Sequence, residues 1–345
     1  MDEISAYYKD LLGLQYLDIP WEKLSGSKIL VTGATGLIGS CLVEALLMNP
    51  KKDYQVYASG RDLTSLSKRF SRFKNDPSLH FFIYDVLNPL DSTICFEYII
   101  HAASYASPAA FTNNPVEVMK SNLFGVCNLM DYAINNGTKR FLFLSSGEVY
   151  GEGDGRDFSE SYSGYVDITS PRSCYPSSKR AAETLCVSYV SEYGLDAVIA
   201  RPCHTYGPYF AKSDSRVYAQ CIRNILNDED ILMKSSGAQY RSWCYVVDCV
   251  SALLFILLKG DCGEAYNIAN PESVISIKEL ASIVARIGNK KVMVLTPTTS
   301  EKAGFNPVTK SVFSTDKIKA LGWEPKTSLQ SGIDHSIKEL LTPKH

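Results

Sequence analysis

Lys28-Ile-Leu-Val-Thr-Gly33-Ala-Thr-Gly36-Leu-Ile-Gly39 is the stretch whose reading decides the fold. Its first half is a short apolar run suited to a buried parallel strand. Its second half spaces three glycines as G-x-x-G-x-x-G, and Cys41 to Met48 continues as a helix. Strand, glycine-rich turn and helix make a dinucleotide-binding unit. The glycines permit a tight turn and close approach of backbone to a pyrophosphate, and the helix N-terminus faces the phosphates. The bare glycine pattern is weak; the strand before it and the helix behind it carry the assignment.

Outward from this unit, strands and helices alternate. Tyr54 to Ser59 reads as a second strand, and Phe81 to Val86 as a third that ends near the adenine. Tyr98 to Ala103 is a fourth, Arg140 to Ser145 a fifth, Ala197 to Arg201 a sixth, and Ala265 to Ala269 a later one. Helices are expected from Asn114-Pro115 to Ala133, where proline suits the first turn, and over Tyr175–Tyr193, Val247–Leu258 and Ile277–Ile287. This alternation predicts an α/β protein: a Rossmann-type doubly wound parallel sheet with a smaller C-terminal α/β substrate-binding region.

The expected division has three parts. Residues 1–27 form an N-terminal helical extension, with Ile4, Tyr7, Tyr8, Leu11 and Leu12 at helical spacing. Residues 28–206 form the NAD(P)-binding domain, to which the chain returns at about 246–262. Residues 207–345 are mainly substrate-binding, and 207–245, of mixed polarity, fold over the substrate.

Composition narrows the class. The 345 residues carry 35 basic and 37 acidic side chains with no basic stripe, which speaks against nucleic acid. Ten cysteines are scattered without a C-x-x-C pair or a Cys/His cluster at metal spacing, so reduced, packed thiols and no metal are expected. The Met-Asp-Glu start lacks a signal-peptide pattern. The longest apolar run, Ala252 to Leu258, is far below the roughly 18 residues that span a bilayer. The expectation is a soluble, cytoplasmic protein without a membrane segment.

Two local readings concern the site. A carboxylate at the end of the second strand would hold the ribose hydroxyls of NAD; here Gly60 stands there, followed by Arg61. The lost carboxylate and added guanidinium tilt toward the 2′-phosphate of NADP, with adenine stacking or plain solvent exposure as the other readings of Arg61. Downstream, Ser146-Gly-Glu-Val-Tyr150 begins at the carboxyl end of the fifth strand, where open α/β sheets bind ligands. Tyr175 and Lys179 are four residues apart and share a helix face. An ammonium beside a phenol pulls its pKa below the usual value of about 10. Such a Tyr takes a proton from a sugar hydroxyl while a hydride leaves the same carbon. Alone, the pair is a common solvated helix face; its place after the nucleotide turn and the Ser-bearing strand end gives it weight. Asn122 is either a hydrogen-bonding helix residue near the site or an ordinary polar one. Glu148 is either a chemical base or a carboxylate that orients a loop.

Thr32-Gly-Ala-Thr-Gly-Leu-Ile-Gly39, His101-Ala-Ala103, Ser145-Ser-Gly-Glu-Val-Tyr-Gly151, Tyr175 with Lys179, Arg201-Pro and Tyr206-Gly-Pro208 form an ordered series. It continues through Arg241-Ser-Trp-Cys-Tyr-Val-Val-Asp248, Tyr266-Asn-Ile-Ala-Asn-Pro271 and Leu321-Gly-Trp-Glu-Pro325. On these residues, over roughly 27 to 335, the chain resembles the extended short-chain dehydrogenase/reductase family that remodels nucleotide sugars. Within it, Ala106-Ser-Pro108, Asn114-Pro115, Pro171-Arg-Ser-Cys-Tyr175, Lys179-Arg-Ala-Ala-Glu-Thr-Leu185 and Ser215-Arg-Val217 resemble the UDP-glucuronate decarboxylases.

The resemblance implies roles. Ser146, Glu148, Tyr175 as base and Lys179 as its activator are the catalytic set. Gly33, Thr35, Gly36, Leu37, Ile38, Gly39, Arg61, Asp85, Val86, Ala102, Ala103, Asn122, Tyr175, Lys179 and Arg201 are placed at the cofactor. Ser104, Ser107, Ser146, Gly147, Glu148, His204, Arg216 and Arg241 are placed at the substrate, Arg241 on the diphosphate and Arg216 at the nucleotide end. The family cofactor is NAD, against the tilt of Gly60-Arg61 to NADP. The expected partners are a UDP-sugar and a second copy of the chain, met through the helices near 115–133 and 175–193. Gly60, Gly147 and His204 depart from the family pattern. The expected reaction is decarboxylation through a 4-ketosugar. A 4,6-dehydratase, then a 4-epimerase, then a catalytically silent sugar-binding protein are the alternatives.

Overall fold

The structure is a computed structural model that describes residues 4–212, 214–295 and 309–342. In chain order the strands are β1 (Lys28–Thr32), β2 (Gln55–Gly60), β3 (Leu79–Ile83), β4 (Tyr98–His101), β5 (Arg140–Leu144), β6 (Ala197–Pro202) and β7 (His204–Tyr206). They continue as β8 (Ile231–Met233), β9 (Tyr240–Tyr245), β10 (Ala265–Ile268), β11 (Asn270–Ser276), β12 (Val292–Val294) and β13 (Lys310–Ser311). The helices used below are α1 (Ala6–Gly13), α2 (Leu37–Met48), α3 (Leu63–Arg69), α4 (Pro108–Asn113), α5 (Pro115–Asn135), α6 (Cys174–Tyr193), α7 (Val217–Leu226), α8 (Val246–Lys259) and α9 (Ile277–Ile287).

Seven strands form the main sheet in the order β10-β6-β5-β4-β1-β2-β3, every pair parallel. Alternate residues of each strand feed opposite faces. Ile29, Val31, Ile100, Leu142 and Val198 pack toward the core that holds α2 and α8. Leu30, Ile99, Phe141, Phe143 and Ile199 pack toward Val126, Leu129 and Met130 of α5 and Ala182 and Cys186 of α6. Burial on both faces is why these strands read as unbroken apolar runs. Helix α8 is buried from Val246 through Leu258, as expected of a helix apolar on all sides.

A second sheet orders β11-β9-β13, with β7 parallel to β9. Residues 207–245 are more regular than their mixed polarity suggests, since they hold α7, β8 and β9. The main sheet takes back β10 as well as α8. The N-terminal helix is tied down by polar contacts: the Tyr7 and Tyr8 hydroxyls donate to Glu44 of α2 at 2.6 and 3.1 Å, and Ser5 donates to Glu339. Arg69 closes the network on Glu44 at 2.7 and 2.9 Å. The third strand ends at Ile83, earlier than expected, because Asp85 folds its carboxylate back to accept from the Leu87 N–H at 3.1 Å.

Among the described residues, no helix is long and apolar enough to cross a membrane.

Candidate active site

All strands of a parallel sheet end on one edge, and the neighbours of β1 bring their following loops to its glycine turn. Gly33 has φ +67, the left-handed region. A Cβ there would lie 2.7 Å from the Ala102 oxygen and from backbone atoms of Ala103, so the β4 loop passes directly against the turn. A Cβ at Gly39 would run into the Gly33 carbonyl oxygen. Gly36 caps α2 without a side chain, leaving the first-turn amides of Leu37, Ile38 and Gly39 without a side-chain acceptor. Thr35 and Gly36 are exposed on the outer side of the turn. Bare amides at a helix start, behind a turn with no room for Cβ atoms, fit a pyrophosphate. The Ala103 N–H donates to Thr32 Oγ1 at 3.3 Å, which also meets His101 Nδ1 at 2.8 Å, locking β1 to the end of β4.

Arg61 follows β2 and donates through Nη1 to the Tyr105 hydroxyl at 2.7 Å, so its guanidinium leans toward the loop after β4. Asp85 and Val86 lie in the turn after β3, and the Val86 carbonyl accepts from Asn128 at 2.8 Å. Asn122 is buried in α5 between two hydroxyls: it accepts from Ser104 at 2.8 Å and donates to Ser178 at 2.9 Å. Ser178 in turn donates to the Tyr175 carbonyl at 3.1 Å. Asn122 thus ties the β4 loop to the first turn of the helix that bears Tyr175. Ser107 caps α4, accepting from the Ala110 N–H at 3.3 Å.

Tyr175 stacks on Phe111 with centroids 4.4 Å apart and planes at 22°. Its phenol is pushed up to about 12, by burial first and then by the Glu148 charge; a hydrogen bond from Ser146 and the Arg216 and Arg172 guanidiniums pull the other way. Lys179, on the same helix, has its Nζ 5.8 Å from the Tyr175 ring centroid. Lys179 Nζ donates to the Leu144 carbonyl at 2.8 Å and lies 4.5 Å from the Phe143 ring centroid. Burial brings its pKa down to about 7, against the pull of the Glu183 charge.

Ser146 accepts from the Glu148 N–H at 3.2 Å and starts the 3-10 turn Gly147–Tyr150. The Glu148 carboxylate is held by Arg172 with Nη1 at 3.1 Å and Nη2 at 3.0 and 3.1 Å. Gly147 has a physical reason to lack a side chain: a Cβ there would strike the ring of Phe313. His204 lies near Arg216 and Arg241, with Arg216 also near Tyr175 and Arg241 near Glu148. His204 lies 5.3 Å from the Trp243 ring. Burial, then Arg241 and Arg216, hold its imidazole below the usual histidine range, although the residue as a whole is exposed, which tempers the desolvation. Arg241 is buried on β9, and that burial brings its pKa down to about 10 against the pull of Glu148. Arg216 pairs with Asp214 at 2.6 Å.

Arg201 is a correction. Its guanidinium is taken up by Glu183 at 2.6 and 2.9 Å, the Tyr150 hydroxyl at 3.0 Å and the Glu160 carbonyl at 2.7 Å. Ser145 donates to the same Glu183 at 2.5 Å. Arg201 therefore braces β6, α6 and the loop after β5 instead of reaching a cofactor. Arg201→Ala leaves the Glu183 charge buried without its counter-ion, and the expected loss is about 3–5 kcal/mol. Urea unfolding measures it, and an unshifted midpoint would remove the brace.

Sequence reasoning passed over Arg172, Phe111 and Phe313. Arg172 lay in the quoted Pro171–Tyr175 stretch, three residues ahead of Tyr175. Phe313 is far away in the chain and carries no local signal.

The profile of the NAD dependent epimerase/dehydratase family matches residues 29–269. UDP-glucuronic acid decarboxylase 5 of Arabidopsis thaliana is 34% identical over 90% of this chain and 88% of its own length. UDP-glucuronic acid decarboxylase 1 of Xenopus tropicalis is 30% identical over 90% of this chain and 71% of its own length. Among solved structures, the UDP-glucose 4-epimerase of Thermotoga maritima with UDP-glucose superposes with a TM-score of 0.78. It is 27% identical, covering 91% of this chain and 98% of that one.

Proposed function

Since the chain belongs to the NAD dependent epimerase/dehydratase family, we propose that it is a nucleotide-sugar-modifying enzyme that decarboxylates UDP-glucuronate through a transient 4-ketosugar. The observation that carries this reading is the grouping of Ser146, Glu148, Tyr175 and Lys179 at the carboxyl end of β5 and the start of α6, beside the glycine turn. The likeness to UDP-glucuronic acid decarboxylases supports UDP-glucuronate as the substrate within the family.

NAD, held along Gly33–Gly39 and the start of α2, would accept the C4 hydride and return it. Tyr175 takes the C4 hydroxyl proton. The resulting ketone lies beta to the C6 carboxylate, so CO2 leaves and the electron pair enters an enolate. The Ser146 hydroxyl and the now protonated Tyr175 donate to the enolate oxygen. A proton from solvent goes to C5, and hydride return to C4, with Tyr175 giving its proton back to the C4 oxygen, completes a UDP-pentose. Arg241 and His204 meet the diphosphate, and Arg216 the nucleotide end. Lys179 and Asn122 hold the α6 start and the β4 loop in register beside the turn.

The 4,6-dehydratase reading keeps Glu148 as the base at C5. It is weaker because Gly147 offers no acid and Phe313 fills the space a longer residue would use. A 4-epimerase ranks third, although the fold of one superposes on this chain. A silent sugar-binding protein ranks last, because the proton-transfer groups are all present.

The same reading includes a homodimer and a cytoplasmic location. Val116, Met119 and Phe124 of α5 and Val187 and Tyr193 of α6 leave large apolar side chains exposed, and the two helices pack together. A four-helix contact between two copies would cover that surface.

The deciding experiment incubates purified protein with UDP-glucuronate and follows the sugar by mass spectrometry, with NAD and NADP supplied separately. Loss of CO2 is the expected result, with turnover supported by NAD. An unchanged mass with an epimer on chromatography, or no change at all, would overturn the decarboxylase reading. Faster turnover with NADP would assign Arg61 to the 2′-phosphate.

A further inference from the structure

We propose that Arg172 is the carboxylate subsite of this pocket, the side chain that distinguishes an acidic sugar from its neutral counterpart. The inference rests on the reading of the site as one for a nucleotide hexuronate and names the group that recognises its acid.

The geometry is a built carboxylate receptor. Arg172 belongs to the 3-10 turn Pro171–Ser173 that runs directly into α6, so it is placed by the same turn as Tyr175. Its guanidinium lies over the Phe111 ring at 4.7 Å, and Phe111 stacks on Tyr175 at 4.4 Å. Arg172, Phe111 and Tyr175 form one stack, with Phe111 and Tyr175 buried and the Arg172 side chain partly exposed. Stacking holds the planar fork in one orientation, which lowers the cost of forming bidentate bonds.

The fork already grips a carboxylate. Glu148 is bound through Nη1 and Nη2 at 3.0–3.1 Å. Those contacts demonstrate that the position accepts an oxygen pair in fork geometry. Nε donates to no described residue, so the guanidinium keeps a free edge. The other cations near the cleft are engaged elsewhere: Arg216 by Asp214, and Arg241 buried with a bond to the Tyr240 carbonyl.

Position follows from sugar chemistry. C6 is attached to C5, the neighbour of C4, so an acid at C6 lies next to whatever meets the C4 hydroxyl. Tyr175 meets C4 in the proposed reaction, and Arg172 is the exposed cation of its stack. A uronate carboxylate brought beside Glu148 would otherwise face like charge. One guanidinium shared by the two carboxylates removes that conflict, and it also turns Glu148 toward the sugar carbon between them.

Since Arg172 grips the reactant's acid, it acts mainly in binding, and its loss raises KM more than it lowers kcat. The test measures affinity of the NAD-loaded protein for UDP-glucuronate and for UDP-glucose by calorimetry, in wild type, Arg172→Gln and Arg172→Lys. Arg172→Gln is expected to weaken UDP-glucuronate on the order of 10- to 100-fold and UDP-glucose by less than about threefold, with Arg172→Lys recovering part of the loss. Arg172 is 44% exposed, so an unchanged thermal midpoint is expected to accompany the change. Equal losses for both sugars, or no loss for the acidic one, would overturn the subsite. So would a wild type that binds the two sugars alike. A wild type that prefers UDP-glucuronate through Arg172 yet releases no CO2 would sink decarboxylation and leave the subsite standing.

Discussion

Tyr175→Phe is expected to lower turnover of UDP-glucuronate about 10²- to 10⁴-fold, the range that a positioned proton-transfer group supplies. The substitution removes one oxygen and keeps the ring. Stacking on Phe111 at 4.4 Å is therefore retained, and thermal stability and UDP-glucuronate affinity are expected to stay near those of wild type. Steady-state CO2 release gives the rate, and calorimetry the affinity. A variant within tenfold of wild type would show that the proton leaves by another route.

The pH behaviour of the same residue follows from its surroundings. Burial and the Glu148 charge push the cofactor-free phenol up to about 12. An ultraviolet difference titration of wild type against Tyr175→Phe is expected to show no phenolate from this residue below about pH 10, the ordinary tyrosine value. The linkage sign is that of a raised acid: the unfolded chain ionises first, so this group leaves stability untouched below about pH 10 and withdraws it above. An ionisation near neutrality in the cofactor-free protein would mean that Lys179 acts on the phenol more directly than its bond to Leu144 suggests.

Gly33→Ala is the second large effect. The position combines φ +67 with 2.7 Å approaches to the Ala102 oxygen and to Ala103, all backbone atoms that cannot swing aside. Strain and overpacking together are expected to cost about 2–5 kcal/mol. The damage is also functional, because the atoms that must move are those of the turn that would carry the pyrophosphate. NAD affinity, followed by fluorescence titration, is expected to fall at least about 100-fold, the equivalent of the lower half of that cost. Gly26 is the control: it has the same φ but no atom within 4 Å of a Cβ, so Gly26→Ala suffers only the strain and keeps NAD binding. If Gly33→Ala retains both stability and affinity, the turn is not the phosphate cradle.

What the residues alone determined is the local part of the answer. The apolar runs at 28–32, 98–101 and 140–144 specify strands buried on two faces, because both alternating sets of side chains are apolar. The glycines at 33, 36 and 39 specify the turn, because the positive φ of Gly33 and the close approach of Gly36 and Gly39 to the Gly33 carbonyl oxygen involve only neighbouring residues. The four-residue spacing puts Tyr175 and Lys179 on one helix, α6, since helix periodicity is local too. Four decisions needed the tertiary structure. Arg201 went to Glu183 and Tyr150 because β6, α6 and the loop after β5 converge there, and a buried guanidinium takes the nearest carboxylate. Lys179 turned to the Leu144 carbonyl because its helix packs against the end of β5. Arg172 met Glu148 across 24 residues of chain, and Phe313 reached Gly147 from across more than 160, pairings set by which surfaces the fold presses together. Periodicity and glycine sterics are written into short stretches of sequence, whereas charge pairing and occupied space depend on distances that only the packed chain creates.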